Sequence, residues 1–279
     1  MSATVEPLGP QDADALRTLL AKDPSHNLYL FGLLEEFGIQ PRPGRPPHAF
    51  YGRFQGRELT AALFVGGTGG LLVPSASDPS HLAHIASFLA GKVRLESALG
   101  DKPAVDELVR QLCPGRPRFS RTQRLFTVSA DDLGPFTNPT LRLATEEDFG
   151  ELVAMAAHAV QERFERHPLA EDPEAFKARV LQRIRGQRTY VLRMEGRLVF
   201  KIDVGSRSQY GAELEGLYTL PTERRRGHAT LSLGQISRHL LSSLPRLTLR
   251  VDEPDASLSG VARKVGYLPG KTQRLVFAS

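Results

Sequence analysis

Two glutamates spaced i, i+2, Glu213 and Glu215, stand shortly before a run of three arginines, Arg224-Arg225-Arg226. Carboxylates two apart on a strand face the same side. If that side faces a bound ligand, they could take up a proton, with Glu215 the nearer base and Glu213 behind it. A solvated polar strand face, or an ion pair, would account for the same pair without chemistry. The arginines belong to the stretch Leu214-Glu215-Gly216-Leu217-Tyr218-Thr219-Leu220-Pro221-Thr222-Glu223-Arg224-Arg225-Arg226-Gly227-His228-Ala229-Thr230. It reads as a strand, a proline-broken turn, a cationic loop and a helix start. Backbone N–H groups leading into a helix N-terminus form a natural phosphate site. Gly227 lets the main chain approach a ligand, and Ala229 keeps the next layer thin. Arg224, Arg225 and Arg226 would add fixed positive charge. A plain strand–helix connection with a solvated charge run is the competing reading.

The elements that must position these residues follow from periodicity. After the loop, Leu231, Leu233, Ile236, Leu240 and Leu241 make an apolar stripe on a 3.6-residue period. Before it, Thr189–Met194 and Leu198–Val204 form a hairpin around Glu195-Gly196-Arg197. Leu141–Ala144 is a strand, Thr145-Glu146-Glu147-Asp148 caps a helix, and Phe176–Ile184 is a second helix. Strand Leu247–Val251, a helix near Leu258–Lys264 and strand Gln273–Phe277 close the chain. The first half has the same order. Strand Thr4–Leu8 precedes helices beginning at Asp12 or Asp14 and spanning Asn27–Phe37. Ala49–Phe54 and Leu59–Val65 flank Gln55-Gly56-Arg57, and strand Leu71–Val73 follows. Helix Pro79–Leu89, strand Val93–Ala98, helix Ala104–Leu112 and strand Leu125–Val128 complete it. Pro41–Pro47 is a proline-rich connector, and Gly66–Gly70 a glycine-rich hairpin turn. The linker 131–139 separates a domain at 1–130 from one at 140–279.

Composition narrows the class. At 279 residues the chain has room for two domains, and 41% hydrophobic with 24% charged residues is ordinary for a globular protein. No signal-peptide pattern and no run of 18 apolar residues is present, so the expectation is a cytoplasmic protein without a membrane partner. One cysteine, Cys113, rules out a disulfide framework and a cysteine-built zinc site, and no metal is expected. The net charge of +5 is carried by scattered basic residues. With aromatics at 7% and no helix–turn–helix or stacking platform, no nucleic-acid partner is expected.

Arg224-x-x-Gly227-x-Ala229 after a strand resembles the acyl-CoA motif of the GNAT (GCN5-related) N-acetyltransferases. The repeated order of elements resembles a tandem GNAT arrangement, and Tyr218-Thr219-Leu220-Pro221 before the Arg-Gly loop is similar to the glycine N-acyltransferase-like branch. The resemblance implies an α/β fold with a mixed sheet in each of two domains, and acetyl-CoA as the co-substrate. Its pyrophosphate would lie on Arg224, Arg225, Arg226, Gly227, His228, Ala229 and Thr230, and its pantetheine arm along Leu217, Tyr218 and Thr219. It also implies direct transfer to an amine in a ternary complex. The acceptor would be an amino acid or other small metabolite, or else a protein N-terminus or lysine. Tyr218 would protonate the thiolate or simply pack. Asp252 is a further acid–base candidate, whereas His158 and His167 have no evident partners. Many relatives carry a tyrosine where this chain has Ala262, which cannot donate a proton. In the first half, Pro74-Ser75-Ala76-Ser77-Asp78-Pro79 replaces the cationic loop, so that domain is read as non-catalytic. A non-catalytic acyl-CoA sensor or interaction module is the alternative function.

Overall fold

The computed structural model describes residues 3–41, 44, 47–66 and 70–278; most of the expected proline connector and the middle of the glycine turn lie outside them. The chain runs β1 (Ala3–Pro7), α1 (Ala13–Leu20), α2 (Leu28–Phe37), β2 (His48–Gln55), β3 (Glu58–Gly66), β4 (Leu71–Ala76), α3 (Leu82–Leu89), β5 (Ser97–Asp101), α4 (Lys102–Leu112) and β6 (Phe119–Val128). It continues through β7 (Arg142–Leu143), α5 (Phe149–Phe164), α6 (Pro168–Glu171), α7 (Pro173–Arg185), β8 (Thr189–Met194), β9 (Arg197–Ser208), β10 (Gly211–Thr219), α8 (His228–Leu241), β11 (Leu247–Asp252), α9 (Ala256–Val265) and β12 (Leu268–Phe277). No described helix is long and apolar enough to cross a membrane.

Two compact units result, and they are not contiguous in sequence. The first comprises Met1–Leu125, Arg250–Pro254 and Gly270–Ser279; the second comprises Phe126–Leu249 and Asp255–Pro269. The division thus departs from the boundaries 1–130 and 140–279 that the order of elements suggests. The reason is strand pairing. Residues Gln273–Phe277 of β12 run antiparallel to Asp101–Ser97 of β5, so the tail completes the first unit's sheet.

In the first unit β1, β2, β3 and β4 pair antiparallel in sequence order, and β4 meets β5 in a short parallel ladder, Leu71 with Ser97 and Leu72 with Ala98. Its core packs Leu63, Leu72, Leu82, Ile85, Leu89, Val105 and Leu108, from two strands and two helices. Strand β5 begins four residues later than the Val93-to-Ala98 alternation predicts. Leu95 is buried in that core, but it does so from an irregular connection after the left-handed Gly91. Ladder pairing starts only at Ser97, where Leu71 and Phe277 stand opposite.

His26, just before α2, gives this unit a pH signature. Its Nδ1 accepts a hydrogen bond from Gln273 Nε2 at 2.9 Å. Burial, reinforced by Lys271 and Arg250 against the opposing pull of Asp23, lowers its pKa to about 4. An unfolded histidine takes up its proton near pH ~6.5. The stability gained by keeping His26 neutral is therefore complete above that pH and is lost as the pH falls toward 4, by up to about 3 kcal/mol. Melting temperature should drop across this window, and His26→Gln should flatten that part of the profile.

In the second unit β7, β8, β9 and β10 pair antiparallel, and β10 runs parallel to β11. Helix α5 starts where predicted: Asp148 Oδ2 accepts from the Thr145 backbone N–H at 2.9 Å, and both Arg142 and Arg193 bind the same carboxylate. Leu152 and Met155 of α5 and Ile184 of α7 then cover Val191, Leu198 and Tyr218 of the sheet. The short α6 has no apolar period to announce it; Pro168 at its first turn is its only marker.

Candidate functional site

Strand β10 is regular only in its first part. It pairs with β11 at Ala212, Glu213 and Leu214 and no further, so among the described residues the strand partner of the stretch after Leu214 is β9 alone. A bulge falls here as well. Glu215 stands opposite Asp203 and Tyr218 opposite Lys201, so Gly216 and Leu217 together face one residue. Gly216 makes the bulge possible, with φ +60°. A Cβ there would lie 2.5 Å from Asp203 Oδ2 and 3.0 Å from Lys201 Nζ. A lone glycine inside a strand pattern was the available sequence signal for this irregularity.

The loop between β10 and α8 meets the requirement for an anion site. The turn closes with Arg224 N–H on Pro221 O, and α8 opens with Leu231 N–H on Gly227 O. Between them, the backbone amides of Arg225, Arg226, Gly227, His228, Ala229 and Thr230 have no partner among the described residues. Arg225 and Gly227 are both left-handed, at φ +63° and +86°. That conformation turns successive N–H groups toward one concave side. Such backbone strain on an arginine gathers at functional sites. The loop is exposed, and a Cβ added at Gly227 would meet nothing within 4 Å. Six free amides, the helix dipole and the guanidinium of Arg225, which makes no ion pair among the described residues, suit a pyrophosphate.

The other two arginines have different duties. Arg224 turns back: its Nε donates to Thr219 O at 3.1 Å and its Nη2 to Glu162 at 2.7 Å, with the guanidinium 5.5 Å from the Tyr218 ring centre. Arg226 and Arg197 both bind the buried Glu223, at 3.0 and 2.6 Å. His228 Nε2 lies 3.6 Å from the same carboxylate, so the imidazole packs against Glu223. Glu223 thus ties the turn, the β8–β9 hairpin and the first residue of α8 together. Neither Glu223 nor Glu162 was legible as part of the site, because both are ordinary charged residues in the linear sequence.

Glu213 is buried opposite Ser206. Glu215 is half-buried over Gly205, and Arg183 of α7 donates to its Oε1 at 2.5 Å. The same guanidinium reaches Asp203 Oδ2 at 2.8 Å, and Lys201 Nζ meets that oxygen at 2.5 Å. The expected base is therefore one member of a four-residue charge network at the bulge. Tyr218 packs among Leu152, Met155 and Ile184, with its phenol beside Glu162; burial and the Glu162 charge raise its pKa, so it keeps its proton at neutral pH.

Asp252 falls in the first unit, where Gln123 donates to it at 2.7 Å and Arg121 at 3.4 Å. Its carboxylate is thus held by β6 side chains, as that of Glu215 is held by Arg183. His158 and His167 are exposed. Ala262 is fully buried, and the nearby Tyr267 bonds Ser237 at 2.7 Å, so neither offers a proton. In the first unit, the Asp78 carboxylate accepts from the Ser80 N–H at 2.9 Å and occupies the turn that corresponds to the cationic loop. That carboxylate would repel a phosphate.

No protein-family model and no curated protein matches the sequence. Solved structures do match over nearly the whole chain. A Drosophila protein superposes with TM-score 0.70 at 17% identity over 99% of each chain. A GCN5-related N-acetyltransferase from Sphaerobacter thermophilus gives 0.58 at 14% identity, covering 98% of this chain and 94% of its own. A tandem GNAT protein from the clavulanic acid biosynthesis pathway gives 0.54 at 13% identity, covering 100% and 99%. With the bulged strand and the amide-lined loop, these likenesses give the chain the tandem fold of the GNAT acetyltransferases.

Proposed function

We propose that the chain is an N-acyltransferase that moves an acyl group, acetyl in the simplest case, from acyl-CoA to an amine by direct transfer in a ternary complex. The observation that carries this reading is the set of six unpartnered amides from Arg225 to Thr230 beside the free Arg225 guanidinium. These groups would hold the pyrophosphate, and the backbone of Leu217, Tyr218 and Thr219 would run beside the pantetheine arm. Acyl-CoA supplies the activated carbonyl when bound. On the protein side, Glu215 would take the proton an amine gives up, with the amine sharing or displacing Arg183. The acceptor would be a small-molecule amine, with a protein amine as the other class.

Incubation with acetyl-CoA and a panel of amines, read as free thiol, tests the assignment. Glu215→Gln should lower turnover roughly 100-fold while CoA affinity stays unchanged; an unaltered rate would remove Glu215 from the mechanism. A second reading is favoured by two observations. Glu215 is tied to Arg183, and Ala262 leaves no tyrosine at that position. An acyl-CoA sensor would bind CoA and release no thiol with any amine.

A further inference from the structure

The first unit holds a row of buried polar side chains that the acyl-CoA reading does not use. Asp101 on β5 and Gln273 on β12 are direct partners across their ladder, so their side chains share a face. Arg274, the next residue, bonds Ser120 and Thr122 of β6. By alternation, Gln123 and Gln273 lie together on the opposite face. Both glutamines are almost wholly buried, at 1% and 0% exposure. Each uses only one end of its amide: Gln123 Nε2 donates to Asp252 and Gln273 Nε2 to His26. Both Oε1 atoms are left without a partner. A buried amide oxygen without a donor is costly, and two of them on one face of this sheet mark a place where donors are missing. His26 Nε2, 3.8 Å from Asp101 Oδ1, leaves that carboxylate without a close hydrogen bond to it. Burial raises the pKa of Asp101, against the opposing pull of Lys271 and the Ala104 backbone N–H.

We propose that this seam binds a primary ammonium group. Its three N–H donors match three acceptors: Gln123 Oε1, Gln273 Oε1 and the Asp101 carboxylate. Of the nearby cations, Lys271 bonds Asp23 at 2.7 Å and Arg250 lies over the Tyr29 ring. Asp101, a quarter exposed, is the open end of the seam. The site lies in the unit whose phosphate loop is absent, and its occupation does not depend on CoA.

Methylammonium, ethanolamine and glycinamide are the probes, with tetramethylammonium, which has no N–H, as the control at equal ionic strength. At least one primary ammonium compound should raise the melting temperature of the CoA-free protein saturably, by roughly 3 °C, and move the His26 imidazole resonance. Tetramethylammonium should do neither. The response should vanish in Gln273→Met and persist in Gly227→Glu, whose phosphate loop is blocked. Should Gln273→Met fail to fold, the His26 shift in the wild-type protein decides. No saturable response, an equal response to tetramethylammonium, or a response retained in Gln273→Met would each overturn the proposal.

Discussion

Gly227→Glu should abolish the thermal stabilisation that CoA gives the wild-type protein, with a loss of affinity of at least 100-fold. Three effects act together. Residue 227 is the N-cap of α8, and any side chain there would rise among the free amides. The carboxylate would meet the pyrophosphate as a like charge, at the place where the helix dipole favours an anion. Its own carboxylate could also bind those amides and occupy the site, as Asp78 does at the turn in the first unit. The fold itself should survive. Nothing lies within 4 Å of an added Cβ, and the φ of +86° costs a non-glycine residue about 1–2 kcal/mol. Gly227→Ala separates strain from charge: it should share the small loss of stability yet keep most of the CoA response. Stabilisation by CoA unchanged in Gly227→Glu would place the nucleotide elsewhere.

Asp203→Ala should be the most damaging single change in the second unit, at about 3–5 kcal/mol of stability. The carboxylate is buried and receives Lys201 Nζ, Arg183 Nη1 and Thr189 Oγ1 within 2.8 Å. Burial pushes its pKa up, and Lys201 and Arg183 more than reverse that, so the group stays ionised below the usual carboxylate range. A lowered folded pKa contributes stability above pH ~4 that is lost as the pH falls further. Alanine removes the charge and leaves Lys201, itself buried, without its counter-ion. The double change Lys201→Met, Asp203→Leu removes both charges and should recover most of the loss. Chemical denaturation of the three proteins measures the difference; a cost under about 1 kcal/mol for Asp203→Ala would show that water reaches Lys201 in its place.

What the sequence made legible was local. The 3.6-residue stripe of α8, the hairpin at Glu195-Gly196-Arg197 and the loop centred on Gly227 depend on neighbours in the chain, and all three stand where their residues place them. The pairing of Glu215 with Arg183 spans 32 residues and joins a helix to a strand. No periodicity encodes such a pair, so the expected base carried no sign of its partner. Strand β5 failed for the same reason. Its alternating residues begin at Val93, but a strand is defined by what lies beside it, and its partner Phe277 comes from the far end of the chain. The partners of Asp252 were equally hidden, since they lie more than a hundred positions away.

The route of β12 bears on how the protein is made. On the ribosome, β5 is synthesised long before Gln273–Phe277 appear, so its edge waits uncovered while the intervening residues are translated and begin to fold. Such sequence-distant pairing slows folding and lengthens the time a bare edge can recruit a neighbouring nascent chain. A fragment cut after residue 130 would carry the same exposed edge permanently and should assemble edge to edge. Supplied separately, a peptide spanning 270–279 has the complementary strand.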